Sequence, residues 1–538
     1  MSSTNPGVHT RLRRVSAAAA GTAIIALLLA AAPATGAAGS SRAAPGPVPP
    51  AAGRWPVGGQ NSADTRYQPD ESIIGPGNVS KLAPKWTFQT APGSGVWTTP
   101  TEADGVVYFP DSAGYLYAVS AATGKQIWSD RLPDLSPELP ATATSRSSPV
   151  VFGDELITGD QIPNASTGNG AHLLAVNRFT GKLMWITTIE THPAARVTGS
   201  PVLSGNTVYI GTSSSEESLT RVSSYQCCTF RGSIVAVNAL TGQMLWKTYV
   251  IPPNGGLPGG YSGNAVWGNT LVPDPATGLL YAGTGNNYTV PPGVCTTPGE
   301  TGCAATAPTD YEDSVLGLDL RTGAIRWSDR MEPADAFPVP GGPDFDFGSG
   351  PNLFTATVNG RPQQIVGAGQ KSGIYWALDP ATGKEIWHTQ VGPGGTLGGI
   401  EWGSATDGKR IYVAISNNAH VPYTLQGSGP YAGQTDTAGS WSALDAGTGK
   451  ILWQTPDPQG AIDQGFVTTA NGVVYAPSDA SSGNNMYALD AATGQIRWQF
   501  ASGGSVNSGA TILNGVLFWG SGYHIGTENN KLYAFGLP

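Results

Sequence analysis

One phrase, T-G-x-x-x-W, recurs seven times along the 538-residue chain, and an internal repeat dictates an architecture before any single residue does. It stands as Thr123-Gly124 with Trp128, Thr180-Gly181 with Trp185, Thr241-Gly242 with Trp246, and Thr322-Gly323 with Trp327. It returns as Thr382-Gly383 with Trp387, Thr448-Gly449 with Trp453, and Thr493-Gly494 with Trp498. Each copy follows a short apolar stretch such as Tyr117-Ala118-Val119-Ser120 or Tyr487-Ala488-Leu489-Asp490. The closing Ser, Asn or Asp can cap a turn through its own side chain. Gly supplies the positive φ of the turn, and the next strand carries the Trp. Further strand signals lie between the phrases, among them Gly105-Val106-Val107-Tyr108-Phe109 and Thr207-Val208-Tyr209-Ile210. Each repeat thus offers about four short strands, which is one propeller blade.

The repeat predicts an all-β fold, an eight-bladed β-propeller over residues 54–538, with its eighth blade split between the chain ends. Lys531-Leu532-Tyr533-Ala534-Phe535 repeats the strand that precedes the turn, and the sequence then stops at Pro538. Leu82-Ala83-Pro84-Lys85-Trp86 carries the Trp with no T-G before it. Pairing the two closes the ring and removes exposed strand edges. The repeat sets the fold and leaves function to the loops of unequal length between the strands.

Charged residues make up only 12% of the chain, while Gly reaches 74 and Pro 43, as suits a turn-dense globular protein. A net charge of -9 gives no basic footprint for nucleic acid. Arg11, Arg13 and Arg14 precede an apolar run from Val15 to Ala32, then small residues around Ala32-Pro33-Ala34. This reads as an export signal over 1–34, with Arg13-Arg14 leaving a twin-arginine signal open. A Pro/Ala/Gly linker follows over 35–53. No later stretch is long and apolar enough to span a bilayer, so the mature protein is expected outside the cytoplasm with no membrane span. An even cysteine count in an exported protein favours disulfides; Cys295 and Cys303 flank a Pro/Gly-rich loop and are expected to close it. No C-x-x-C-H occurs, so no covalent haem is encoded.

The repeat resembles the tryptophan-docking motif of pyrroloquinoline quinone (PQQ) dehydrogenases, and Trp55-Pro56-x-x-Gly59, Arg66-Tyr67 and Asn78-Val79-x-x-Leu82 resemble that family's N-terminal stretch. Cofactor-free propellers that serve as assembly scaffolds share the repeat, so three loops decide. Gly211-Thr212-Ser213-Ser214-Ser215-Glu216 resembles the loop whose glutamate binds the metal, which implies that role for Glu216, with Glu217 the alternative. Ala282-Gly283-Thr284-Gly285-Asn286 resembles the turn whose Asn supplies the next ligand. Asp344-Phe345-Asp346-Phe347-Gly348 resembles the segment with the catalytic aspartate, implying Asp346 as base and further ligand, with Asp344 its rival. A carboxylate, an amide oxygen and quinone oxygens form the all-oxygen site that Ca²⁺ prefers; a doubly acidic segment also suits a lanthanide ion.

The resemblance implies further cofactor contacts. Trp267 stands where the family stacks a Trp on the flat quinone, and Lys371 where it keeps a cation on the quinone oxygens. Thr198 and Ser200 are implied as hydroxyl partners of the cofactor carboxylates, and Arg146 as a bidentate partner. Cys227-Cys228 corresponds to the vicinal pair that the family sets over the other quinone face. Neighbouring Cα atoms about 3.8 Å apart lie below the roughly 4.4–6.8 Å usual for a disulfide. In methanol-type enzymes the pair precedes the glutamate loop; here it follows Glu216, as in the polyvinyl alcohol dehydrogenase branch. The implied activity is oxidation of an alcohol, secondary or polymeric, with electrons leaving to a separate acceptor. The chain has no H-E-x-x-H, P-loop, G-x-S-x-G or G-x-G-x-x-G, which removes support for zinc hydrolases, NTPases, serine hydrolases and nicotinamide enzymes.

Overall fold

The computed structural model describes residues 53–162, 168–268, 270–338 and 341–538. The export signal expected over 1–34, and all of the linker expected over 35–53 except Gly53, lie outside them. The rest is the eight-bladed propeller, and its blades are antiparallel meanders. The first blade is Thr101–Ala103, Val106–Pro110, Tyr115–Ser120 and Gln126–Arg131. The eighth takes Thr511–Leu513, Val516–Ser521 and Lys531–Gly536 from the C-terminus and its outermost strand, Ala83–Gln89, from the N-terminal region. That last pair runs antiparallel with Trp86 opposite Ala534, so the ring closes as the sequence predicts.

The physical meaning of T-G-x-x-x-W becomes plain at the blade junctions. Each Trp lies against the glycine of the next blade's T-G: a Cβ on Gly242 would meet the ring of Trp185 at 2.8 Å, and one on Gly494 the ring of Trp453 at 2.6 Å. Those glycines also have φ of 72° and 74°, so the turn and the close approach both demand Gly. The indole N–H then donates to a carbonyl of the same turn: Trp128 to Arg178 at 2.8 Å, Trp185 to Ala239 at 2.9 Å, Trp453 to Ala491 at 3.1 Å. Trp498 docks on Leu82 at 3.0 Å, so the last phrase seats on the stretch that has no T-G of its own. Trp387 is the exception, its indole N–H finding no acceptor among the described residues.

The first strands of neighbouring blades touch one another and line the axis. Residues 55–68 thread across them. Backbone bonds tie Trp55 to Glu102, Pro56 to Val151, Ala63 to Leu353, Thr65 to Thr406 and Arg66 to Thr469, five blades in one short segment. Its interior is held by a buried Asp64–Arg66 pair at 3.4 Å and by Arg66 stacked 4.4 Å from the Phe466 ring. The N-terminal stretch thus closes the channel between the blades.

Replacing Trp498 with Ala removes both its docking bond and its share of the core that closes the ring. The expected cost is about 3–5 kcal/mol, read as a lowered urea midpoint.

Candidate active site

In every blade the start of the first strand and the end of the second lie side by side, because the two are antiparallel. Arg146, Thr198, Ser200, Trp267, Asp344, Asp346, Glu401 and Trp402 all enter first strands. Glu216, Glu217, Asn286 and Lys371 all leave second strands. Topology alone therefore brings the three loops to one end of the propeller.

Lys371 is the hub. Its ammonium, only 4% exposed, lies 2.8 Å from Asp344 and 3.5 Å from Asp346 and stands 4.9 Å over the Trp267 ring. Burial pulls its pKa down, but Asp344, Asp346, Glu401 and Glu217 outweigh it and hold the value well above the ordinary 10.5. Asp346 accepts the backbone N–H of Asn286 at 2.7 Å on one oxygen and the Trp267 indole N–H at 2.6 Å on the other. Burial raises the pKa of Asp344 well above its usual range, with Asp346 and Glu217 adding to the rise against the pull of Lys371. The side-chain N–H₂ of Asn286 is committed to the carbonyls of Asn287 and Phe337 at 2.8 and 3.0 Å. Its side-chain oxygen accepts no hydrogen bond from the described residues.

The two neighbouring glutamates part company. Glu216 is wholly buried and receives the Tyr225 hydroxyl at 2.7 Å, the N–H of Thr229 at 3.0 Å and the N–H of Phe230 at 2.7 Å, with His192 Nε2 at 3.4 Å. Burial would raise its pKa; the bonds from His192, Tyr225 and Phe230 win and hold it below 4.5. Its carboxylate is thus engaged by the segment that follows Cys227-Cys228. Glu217 accepts no hydrogen bond from the described residues. Burial raises its pKa, Lys371 lowers it, and Asp346 raises it, which places Glu217 in the field of the central acids.

The remaining expected residues flank this hub. Cys227 and Cys228 form a disulfide across a cis peptide, and Cys295 is bonded to Cys303. Cys227 and Trp267 border one core cluster. Thr198 bonds the Ser213 hydroxyl at 2.8 Å, while Ser200 is spent on the N–H of Ser148 at 3.0 Å. Arg146 stacks 3.9 Å over Trp402 and donates to the Tyr523 hydroxyl at 2.7 Å; Trp402 meets Trp267 edge-on at 5.2 Å. Sequence reading missed Arg196, Glu401 and Trp402. Arg196 has an unpartnered Nε and lies in the field of Glu217. Its signal was its place in Arg196-Val197-Thr198, two residues before a named contact.

Glu217, Asn286 and Asp346 offer carboxylate and amide oxygens with no soft donor, the donor chemistry that suits a hard cation. Among the described residues the one group of three or more His, Cys, Asp or Glu side chains close enough to share an ion is Cys295, Glu300 and Cys303, and both of its thiols are in a disulfide.

Residues 55–393 match the model of the glucose/ethanol/alcohol dehydrogenase β-propeller domain of PQQ enzymes. A polyvinylalcohol dehydrogenase of Sphingopyxis sp. (strain 113P3) is 30% identical over 90% of this chain and 77% of its own length. The chain belongs to the PQQ-dependent alcohol dehydrogenase family. A second polyvinylalcohol dehydrogenase, of Pseudomonas sp., is 29% identical over the same shares. The quinohemoprotein alcohol dehydrogenase of Comamonas testosteroni shares the fold, with a TM-score of 0.69 at 20% identity over 90% of this chain and 80% of that one. Residues 437–535 of this quinoprotein also match the model of the outer membrane protein assembly factor BamB. That match covers the end of the sixth blade, the seventh and the C-terminal strands of the eighth, and the site residues lie outside it apart from Tyr523, the partner of Arg146.

Glu401 offers a pH test of this geometry. Burial lifts its pKa from 4.5 to about 7, against the pull of Lys371 and Arg146. Because the folded chain binds this proton more tightly, its contribution to stability is full below 4.5 and is lost as pH rises through about 7. Glu401→Gln should therefore flatten the fall in Tm of the cofactor-free protein between pH 5 and pH 9, followed by calorimetry.

Proposed function

We propose that this quinoprotein oxidises alcohols, secondary and polymeric ones included, to ketones outside the cytoplasm, with PQQ and Ca²⁺ as cofactors and a separate electron carrier as acceptor. The observation that carries the reading is the convergence of Lys371, Asp344, Asp346, Asn286 and Glu217 beside Trp267 at one end of a propeller of this family. Relatives named polyvinylalcohol dehydrogenase support the substrate class.

Glu217, Asn286 and Asp346 would hold the metal. We favour Glu217 over Glu216 because the carboxylate of Glu216 is consumed by Tyr225, Thr229 and Phe230. Trp267 on one face and the Cys227–Cys228 ring on the other would enclose the flat cofactor, whose carboxylates suit Arg146, Arg196 and Thr198. Bound PQQ supplies the acceptor for the hydride that leaves the carbinol carbon. Asp346 takes the hydroxyl proton as general base. The Trp267 indole and the Asn286 N–H fix both of its oxygens, so its approach to substrate is set by the protein rather than by rotamer choice. Lys371 bridges Asp344 and Asp346, offsets their mutual repulsion and lowers the cost of negative charge on the substrate oxygen.

Reconstitution of the purified chain with PQQ and Ca²⁺ should give dye reduction with secondary and polyvinyl alcohols. Absence of quinone binding together with absence of turnover on any alcohol would overturn the reading. Asp346→Asn should lower kcat by about 10²–10⁴-fold. Glu217→Gln should weaken Ca²⁺ binding by more than Glu216→Gln does, measured by calorimetric titration.

A further inference from the structure

Behind the Asp344–Asp346 segment lies a pair of acids that the reaction does not use. Asp335, fully buried, follows the fourth blade's outer strand. Its carboxylate accepts the N–H of Asp344 at 3.2 Å and the N–H of Phe345 at 2.8 Å. Two successive backbone N–H groups converging on one carboxylate form an anion nest, and Asp344 sits in the left-handed region at φ 62°, which Asp enters more readily than most residues and which the nest holds in place. The backbone carbonyl of the same Asp335 accepts the N–H of Asn287 at 3.0 Å, next to Asn286. One residue therefore grips both segments of the site, the turn with Asn286 by its main chain and the turn with Asp346 by its side chain.

Asp313 stands behind it. It is fully buried, neither of its oxygens has a donor among the described residues, and it lies within hydrogen-bonding reach of Asp335. Its own N–H reaches the carbonyl of Gly285 at 3.2 Å, inside the Asn286 turn. Two carboxylates in such contact, with no cation beside Asp313, require a shared proton. Burial and the nearby acids Asp335, Asp346 and Glu312 raise the pKa of Asp313 well above 3.8, whereas Asp335 has the two N–H groups to stabilise its charge. Asp313 is thus the member of the pair whose surroundings most favour the protonated form.

We infer that Asp335, supported by Asp313, is a positioning residue that fixes the left-handed turn at Asp344 and so sets Asp346 against Lys371, Trp267 and Asn286. The inference rests on the alcohol dehydrogenase reading, because it assigns Asp335 to placing that reaction's base. An amide at 335 can accept only on its oxygen and must turn an N–H₂ toward the second backbone donor, so the turn loosens without loss of volume.

The experiment compares PQQ- and Ca²⁺-loaded wild type with Asp335→Asn, Asp313→Leu and Asp313→Asn. Asp335→Asn should lower kcat about tenfold or more through displacement of the base. Its KM, and the quenching of tryptophan fluorescence on PQQ binding to the cofactor-free protein, should stay within about twofold of wild type. Asp313→Leu should lower kcat likewise, and Asp313→Asn, whose amide N–H donates in place of the acid, should recover most of it. An Asp335→Asn variant with wild-type kcat, or one whose loss of kcat is matched by loss of quinone binding, overturns the inference. If Asp335→Asn does not fold, the Asp313 pair decides: equal kcat in its two variants overturns the inference as well. Wild type that neither binds quinone nor turns over alcohol would instead defeat the dehydrogenase reading.

Discussion

The contact between a tryptophan ring and the bare Cα of a glycine one blade on is what the rest of the molecule depends on. A blade alone is a four-stranded meander whose faces must be buried against its neighbours. The glycine's lack of a Cβ lets the indole lie flat on the next blade's turn, and the indole N–H satisfies a carbonyl that the turn would otherwise leave open. The same glycine takes the positive φ that the turn needs. Two demands on one residue make the motif readable in sequence, because neither demand tolerates substitution. Repeated round the ring, the contact makes each blade the template for the next, and Trp498 on Leu82 makes the last blade depend on the N-terminal strand.

That closure has a consequence for function. A propeller leaves a channel on its axis, and here residues 55–68 cross it with backbone bonds to five blades. Gly58 in that segment has no room for a side chain: a Cβ would meet Ser148 at 2.7 Å and approach Ser200 at 3.5 Å. The N-terminal stretch therefore reaches the residues expected to hold cofactor carboxylates. The segment that locks the blades thus also packs against Ser148 and Ser200 at the start of two first strands.

The fold was legible almost entirely because its determinants are local and periodic: strand, capped turn, glycine, tryptophan. The split eighth blade was legible because Lys531–Phe535 and Trp86 are the two halves of one phrase. The site was legible only as far as motifs identify loops. Asn286, Asp346 and Lys371 arrive beside one another as the loops imply, but the choice between Glu216 and Glu217 depends on which way adjacent side chains leave a single helical turn, Glu216–Leu219. That direction is set by donors from Tyr225, Thr229 and Phe230, in a later loop that no local pattern connects to it. Asp313 and Asp335 were missed for the same reason. A buried acid whose partners are backbone N–H groups from another loop leaves no periodic mark, and their burial appears only once the blades are assembled.

Charge shows why Glu216 and Glu217 are better understood together than as alternatives. Around Lys371 gather Asp344, Asp346, Glu401 and Glu217, with Arg146 acting on Glu401 and Arg196 on Glu217. Burial raises the pKa values of Asp344, Glu217 and Glu401 and favours their protonated forms. A divalent ion would reverse that by favouring the ionised forms. Glu216, by contrast, has its pKa held below 4.5, because His192, a phenol and backbone N–H groups stabilise its charge. One glutamate thus favours its charged form and pins the segment beside the vicinal disulfide. Its neighbour accepts no hydrogen bond from the described residues and lies in the field of Lys371 and Asp346. Two adjacent residues in one turn therefore couple the segment that carries Cys227–Cys228 to the proposed metal position, and movement at either would be felt at the other through a single peptide bond.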